Sequence, residues 1–234
     1  MRFLKDYTET PNILIDDTIM HYTSKVVYVA MALCQRKSGL VKLTIAELVE
    51  KSGLCEATVM QALEELEAGH YIKRKRNWRF SKGLNRAVIA SNTYKLCRNR
   101  SSGYTLIRAS IFSQKITPAT FCVLLFLYRC AGRNQRAFPS IRYIAGAWKE
   151  KTGRGLDMAK STVQLALKLL KELQAFDLRH CDTKRGCKSN NSYYMTDMVL
   201  KKSGCTKFQN IVRGLLPHGG GPIFWDTSPI NKIT

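Results

Sequence analysis

The chain has 234 residues, with 38 Lys and Arg against 17 Asp and Glu, a net charge of +21. Its 45% hydrophobic content is ordinary for a globular protein and argues against general disorder. No apolar run approaches the roughly 18 residues of a membrane helix, and Met1-Arg2-Phe3-Leu4-Lys5-Asp6 lacks the apolar region of a secretory signal.

These features imply a soluble cytoplasmic protein, with no membrane role and a polyanion as partner. In chain order, Thr23-Ser24 offers a hydroxyl cap before Val26, Val27, Val29, Ala30 and Leu33, an apolar stripe at helical spacing, with Ser38-Gly39 as its end. Leu40-Val41-Lys42-Leu43 suits a short strand. Thr44-Ile45-Ala46-Glu47 is a capping box opening a second helix that Ser52-Gly53 terminates. Residues 56–68 form a third helix burying Val59, Ala62, Leu63 and Leu66, which leaves Glu56, Ala57, Thr58, Met60 and Gln61 outward. Two strands then flank a Ser81-Lys82-Gly83-Leu84-Asn85 loop. Helix, strand, helix, turn, helix, hairpin is the order of a winged helix. The hairpin holds seven basic residues and no acidic one between positions 73 and 86: Lys73, Arg74, Lys75, Arg76, Arg79, Lys82 and Arg86.

The same order returns. Thr117-Pro118 is a cap with an N1 proline before Phe121, Val123, Leu124, Leu125, Leu127 and Tyr128, read as one buried helix face. Ser140 caps a helix with Ile141 and Ile144 inward. A third helix buries Val163, Ala166, Leu167, Leu170 and Leu173, presenting Lys160, Ser161, Thr162, Gln164 and Lys168. Its hairpin runs from Asp177-Leu178-Arg179 through a tip with Lys184, Arg185 and Lys188 to Ser192-Tyr193-Tyr194-Met195. Ile15, Ile45, Val59 and Tyr94 thus recur as Ile107, Ile141, Val163 and Tyr193, offsets of 92 to 104 residues, too long for a solenoid. Eight extra residues enter the second copy within Trp148–Gly155; they either form a longer loop or move the two helices apart.

The expected fold is mainly α with small β wings: two tandem winged helix-turn-helix domains from an internal duplication. Domain 1 spans residues 1–98, a polar linker 99–103, domain 2 residues 104–202, and a C-terminal tail 203–234 contains a short amphipathic helix. Residues 1–100 carry +7 and residues 101–234 carry +14. In such a domain Gln61 and Gln164 suit adenine, Lys160 guanine or phosphate, Ser161 and Thr162 phosphate, Thr58 faces the duplex beside Gln61, and the basic hairpins hold the DNA backbone. Four glutamates and no basic residue on the first third helix leave open that it contacts protein instead.

Of the eight cysteines, Cys34, Cys122 and Cys130 fall in apolar helical stretches and read as core thiols. His180-Cys181 with Cys187 is the nearest approach to a ligand cluster, and no Cys-x-x-Cys occurs. No metal, cofactor or catalytic residue is expected. Arg154-Gly155 with Lys160-Ser161 lacks the glycines of a phosphate loop, because Ala159 precedes the lysine.

Phe138-Pro139-Ser140-Ile141-Arg142-Tyr143-Ile144-Ala145, Lys160-Ser161-Thr162-Val163-Gln164-Leu165-Ala166-Leu167-Lys168 and the returning Asn92-Thr93-Tyr94 and Asn191-Ser192-Tyr193 resemble winged helix-turn-helix proteins of bacterial plasmids and mobile elements. The tandem arrangement, over roughly residues 12–200, is similar to plasmid replication initiators, whose two winged helices bind repeated origin sites. The resemblance implies sequence-specific duplex DNA binding, in a transcription regulator or a replication initiator. The tail is expected to pack back on the domains; the sharper alternative is that it recruits a second copy, as a homodimer, or a replication or transcription partner. The alternative is a winged-helix assembly module that contacts protein and not DNA.

Overall fold

The computed structural model describes residues 3–195 except 82, 84, 85, 98–102, 115, 133, 134, 148–153 and 182–189, and leaves out the side chains of 79–81, 86–90, 179–181, 190 and 191. Helices and three small antiparallel sheets make a mixed α/β architecture. In the first half β1 (Tyr7–Pro11) and α1 (Asn12–Asp16) lead into α2 (Tyr22–Leu33), β2 (Leu40–Leu43), α3 (Ile45–Ser52), α4 (Glu56–Ala68), β3 (Ile72–Ser81) and β4 (Arg86–Leu96). The second half follows with β5 (Tyr104–Arg108), a 3-10 turn (Ala109–Ser113), α5 (Pro118–Ala131), β6 (Arg136–Ala137), α6 (Ile141–Ala145), α7 (Lys160–Glu172), β7 (Phe176–Cys181) and β8 (Asn190–Met195). The sheets β2-β4-β3 and β6-β8-β7 share one strand order.

Local chemistry sets the helix starts. Thr44 Oγ1 accepts from Glu47 N at 3.2 Å while Glu47 Oε2 accepts from Thr44 N at 2.7 Å, a reciprocal box that satisfies two otherwise orphaned donors. Ser140 Oγ accepts from Tyr143 N at 3.1 Å, and Thr117 Oγ1 from Thr120 N at 3.2 Å. At α2 the cap is not the Thr23-Ser24 pair. His21 Nδ1 accepts from Thr23 N, so both hydroxyl residues lie within the first turn, and Ser24 Oγ instead donates to Glu65 Oε2 at 2.6 Å. The helix also ends earlier than Ser38-Gly39, at Leu33, because the backbone folds into the turn that delivers β2.

Both third helices are anchored at matching positions. Val59, Ala62, Leu63 and Leu66 are buried on α4, and Val163, Ala166 and Leu170 on α7, where Leu167 and Leu173 are half-buried. Each helix is followed by a non-glycine residue with positive φ, His70 at 59° and Gln174 at 56°. The next amide then turns back to a helix carbonyl, Tyr71 N to Leu66 O and Ala175 N to Leu170 O, both at 2.9 Å.

The halves are joined more tightly than a polar linker suggests. α2 and α5 pack against each other, so Ser24–Leu33 and Thr120–Leu127 are buried on every face and not along one stripe. Val27, Tyr28 and Met31 of α2 belong to the first-half core, whereas Val26, Val29 and Leu33 pack with Phe121, Val123 and Leu127 in the second. β1 pairs antiparallel with β5, Tyr7 opposite Arg108 and Pro11 opposite Tyr104. Thr105 Oγ1 donates to the buried Asn12 Oδ1 at 2.7 Å. Lys25, 1% exposed, donates from Nζ to Ile15 O at 2.9 Å, and burial lowers its pKa. Burial likewise pushes the thiols of Cys122 and Cys130 up to about 12, as expected of unreactive cysteines.

The insertion closes at its base. Residues 148–153 lie outside the described residues, but Leu156 N donates to Ile144 O at 2.9 Å and Met158 N to Ala145 O at 3.1 Å. Gly155, at φ 130°, sits so close to Gly146 that a Cβ there would lie 2.4 Å from the Gly146 Cα. α6 therefore keeps its contact with α7, as α3 does with α4.

Candidate functional site

On α7 the buried residues Val163, Ala166 and Leu170 turn the opposite side to solvent. Lys160, Ser161, Gln164 and Lys168 are exposed there and Thr162 is half-buried. Among the described residues, Lys160, Gln164 and Lys168 make no ion pair or side-chain hydrogen bond. The N-cap is Ala159, whose methyl has no acceptor, so the first amides of α7 lack a side-chain cap. Lys160 and the uncapped N–H donors thus stand at the same helix end, an arrangement suited to phosphate. Leu165, 70% exposed on the same surface, offers an apolar contact of the kind a thymine methyl takes. Its place between Gln164 and Lys168 marks it as part of this face, which the sequence analysis did not single out.

The matching surface of α4 carries the opposite charge. With Val59 aligned on Val163, Glu56, Glu64 and Glu67 stand where α7 has Lys160, Lys168 and Lys171. Glu56 and Gln61 are exposed and Thr58 is half-buried, its hydroxyl 3.0 Å from Cys55 Sγ. The two helices share a frame but differ in what they attract.

Strand alternation divides the basic hairpin of the first half. Lys73 and Lys75 are exposed on one face of β3. Arg74, on the other, has a side chain only 8% exposed and pairs with Glu67 Oε2 at 2.8 Å, so it ties the sheet to α4. Arg76 continues that inner face and is exposed. A register shift between Asn77 and Trp78 follows, and Trp78 stands 60% exposed on the hairpin. The sequence reading missed Trp78; an aromatic among Arg76 and Arg79 was the available signal. The side chains of Arg79 and Arg86, and Lys82, Lys184, Arg185 and Lys188 entirely, lie outside the described residues, as does the 203–234 tail.

Among the described residues, no three His, Cys, Asp or Glu side chains gather as metal ligands. No described helix is long and apolar enough to cross a membrane. His180, Cys181 and Cys187 fall outside the described side chains. No family model matches the chain, and no curated protein matches it.

Proposed function

We propose that the chain is a non-enzymatic, sequence-specific duplex DNA-binding protein built from two tandem winged helix-turn-helix modules, acting as a transcription regulator or replication initiator of a plasmid or mobile element. The observation that carries the reading is the solvent face of α7, where Lys160, Ser161, Gln164 and Lys168 run exposed from a helix start without a side-chain cap. Lys160 and Gln164 have the donors that guanine and adenine edges accept or complement, and Ser161 and Thr162 suit phosphate oxygens. The common strand order of the two three-stranded sheets, and the matched anchors of α4 and α7, support a repeated module.

If six to eight phosphates are neutralised, log K falls with log salt at a slope of about −5 to −7. Lys160→Ala with Gln164→Ala lowers affinity for the selected site by about tenfold or more while changing random-duplex binding much less, as read by fluorescence anisotropy on both duplexes. A slope near zero, or equal loss on both duplexes, contradicts the proposal. The acidic face of α4 favours a second reading, an assembly module; it predicts capture of a protein partner and no duplex binding at physiological salt.

A further inference from the structure

We infer that the outer face of the β2-β4-β3 sheet is a second phosphate-binding surface, which holds duplex backbone in the first half where α4 cannot. The inference rests on the duplex-binding reading above. Its starting point is the register. Lys73 lies directly opposite Lys95 on β4, and Lys42 of β2 and Lys75 of β3 flank Thr93 in the next row. All four lysines are exposed, and no Asp or Glu occupies that face of the three strands. None of the four has an ion-pair partner among the described residues.

Directly opposed like charges destabilise a strand pair. A sheet that keeps Lys73 against Lys95, and adds Lys42 and Lys75 beside them, lacks an internal reason for the arrangement. A polyanion supplies one, since each phosphate takes up a charge that the fold leaves uncompensated. The other face of the sheet packs Val41, Ile72 and Tyr94 into the core with Val59, Leu63 and Leu66 of α4. The sheet therefore stands between these lysines and the glutamates of α4, which would otherwise repel the same ligand. Lys95 also lines a groove shared with Lys5, Arg36 and Lys37, so the positive surface extends past the sheet edge. Four lysines on a pleated surface grip a backbone without reading bases, so this face contributes affinity and orientation while α7 supplies preference.

The test uses the full chain with Lys42→Ala and Lys95→Ala together, two residues outside the α7 surface. Expected is a salt slope shallower by about 1.8 for both selected and random duplexes, at 0.9 per lost contact, with the preference between them unchanged. Lys42→Arg with Lys95→Arg retains the slope. Because both side chains are exposed, circular dichroism and the melting temperature of the alanine variant match or exceed those of the parent. An unchanged slope in the folded alanine variant overturns this surface while leaving the α7 reading standing. A parent chain that ignores duplex DNA overturns both.

Discussion

His70 ends α4 with φ of 59°, a conformation that disfavours any side chain with a Cβ. Relief of that strain is worth about 1–2 kcal/mol, and glycine gives back about 0.5–1 through the added freedom of the unfolded chain. Since His70 is exposed, His70→Gly raises stability by a net of about 0.5–1 kcal/mol, measured as a higher urea midpoint at constant m-value. A lower midpoint would show that the imidazole has a role its exposed position does not reveal. Gly155 presents the converse case. With φ of 130° and the Gly146 backbone where a methyl would go, Gly155→Ala costs at least about 1–3 kcal/mol and frees the base of the insertion, seen as a lower midpoint.

At the scale of elements, Arg74 and Arg76 are neighbours on one strand face with different duties. Arg74→Gln breaks the pair with Glu67, which is 39% exposed, and lowers stability by about 1 kcal/mol with little effect on the salt slope of duplex binding. Arg76→Gln leaves stability unchanged and makes the slope shallower by about 0.9. Identical outcomes would deny that Arg74 and Arg76, on one face of β3, have different duties. The hairpin strands, the capping box and the third-helix anchors were legible because each depends on residues close in sequence: Thr44 with Glu47, Val59 with Ala62 and Leu66. Arg74 was hidden in a run of basic residues, although counting by twos from the buried Ile72 turns it inward. β1 and β5 were not legible, since their pairing joins segments nearly one hundred residues apart and neither strand carries a distinctive turn. The first cap was misplaced because two hydroxyl residues follow a histidine that performs the task. At the candidate site, Lys160 and Gln164 emerged from helical periodicity, whereas the opposition of Lys73 and Lys95 required the register.

For the whole molecule, α2 contributes one side to each core, so neither half is complete alone. Each fully buried Val or Leu is worth about 1.5–3 kcal/mol, and residues 1–98 in isolation would expose Val26, Val29 and Leu33 together. That fragment is expected to self-associate or bind a hydrophobic dye, and the full chain to unfold in one transition seen alike by fluorescence and circular dichroism. A monomeric, dye-silent fragment would contradict the shared-core account.

The β1–β5 pairing has a consequence for any duplex target. If α7 reads bases and the first-half sheet grips backbone, a loose tether would let their separation vary, whereas fusion through a strand pair and back-to-back helices fixes it. A slip of one base pair moves the gripped phosphates by about a tenth of a turn and about 3.4 Å, displacements that a fused body cannot absorb by stretching. Protection of the sugar–phosphate backbone should then fall at one distance and helical phase from the base-specific contacts.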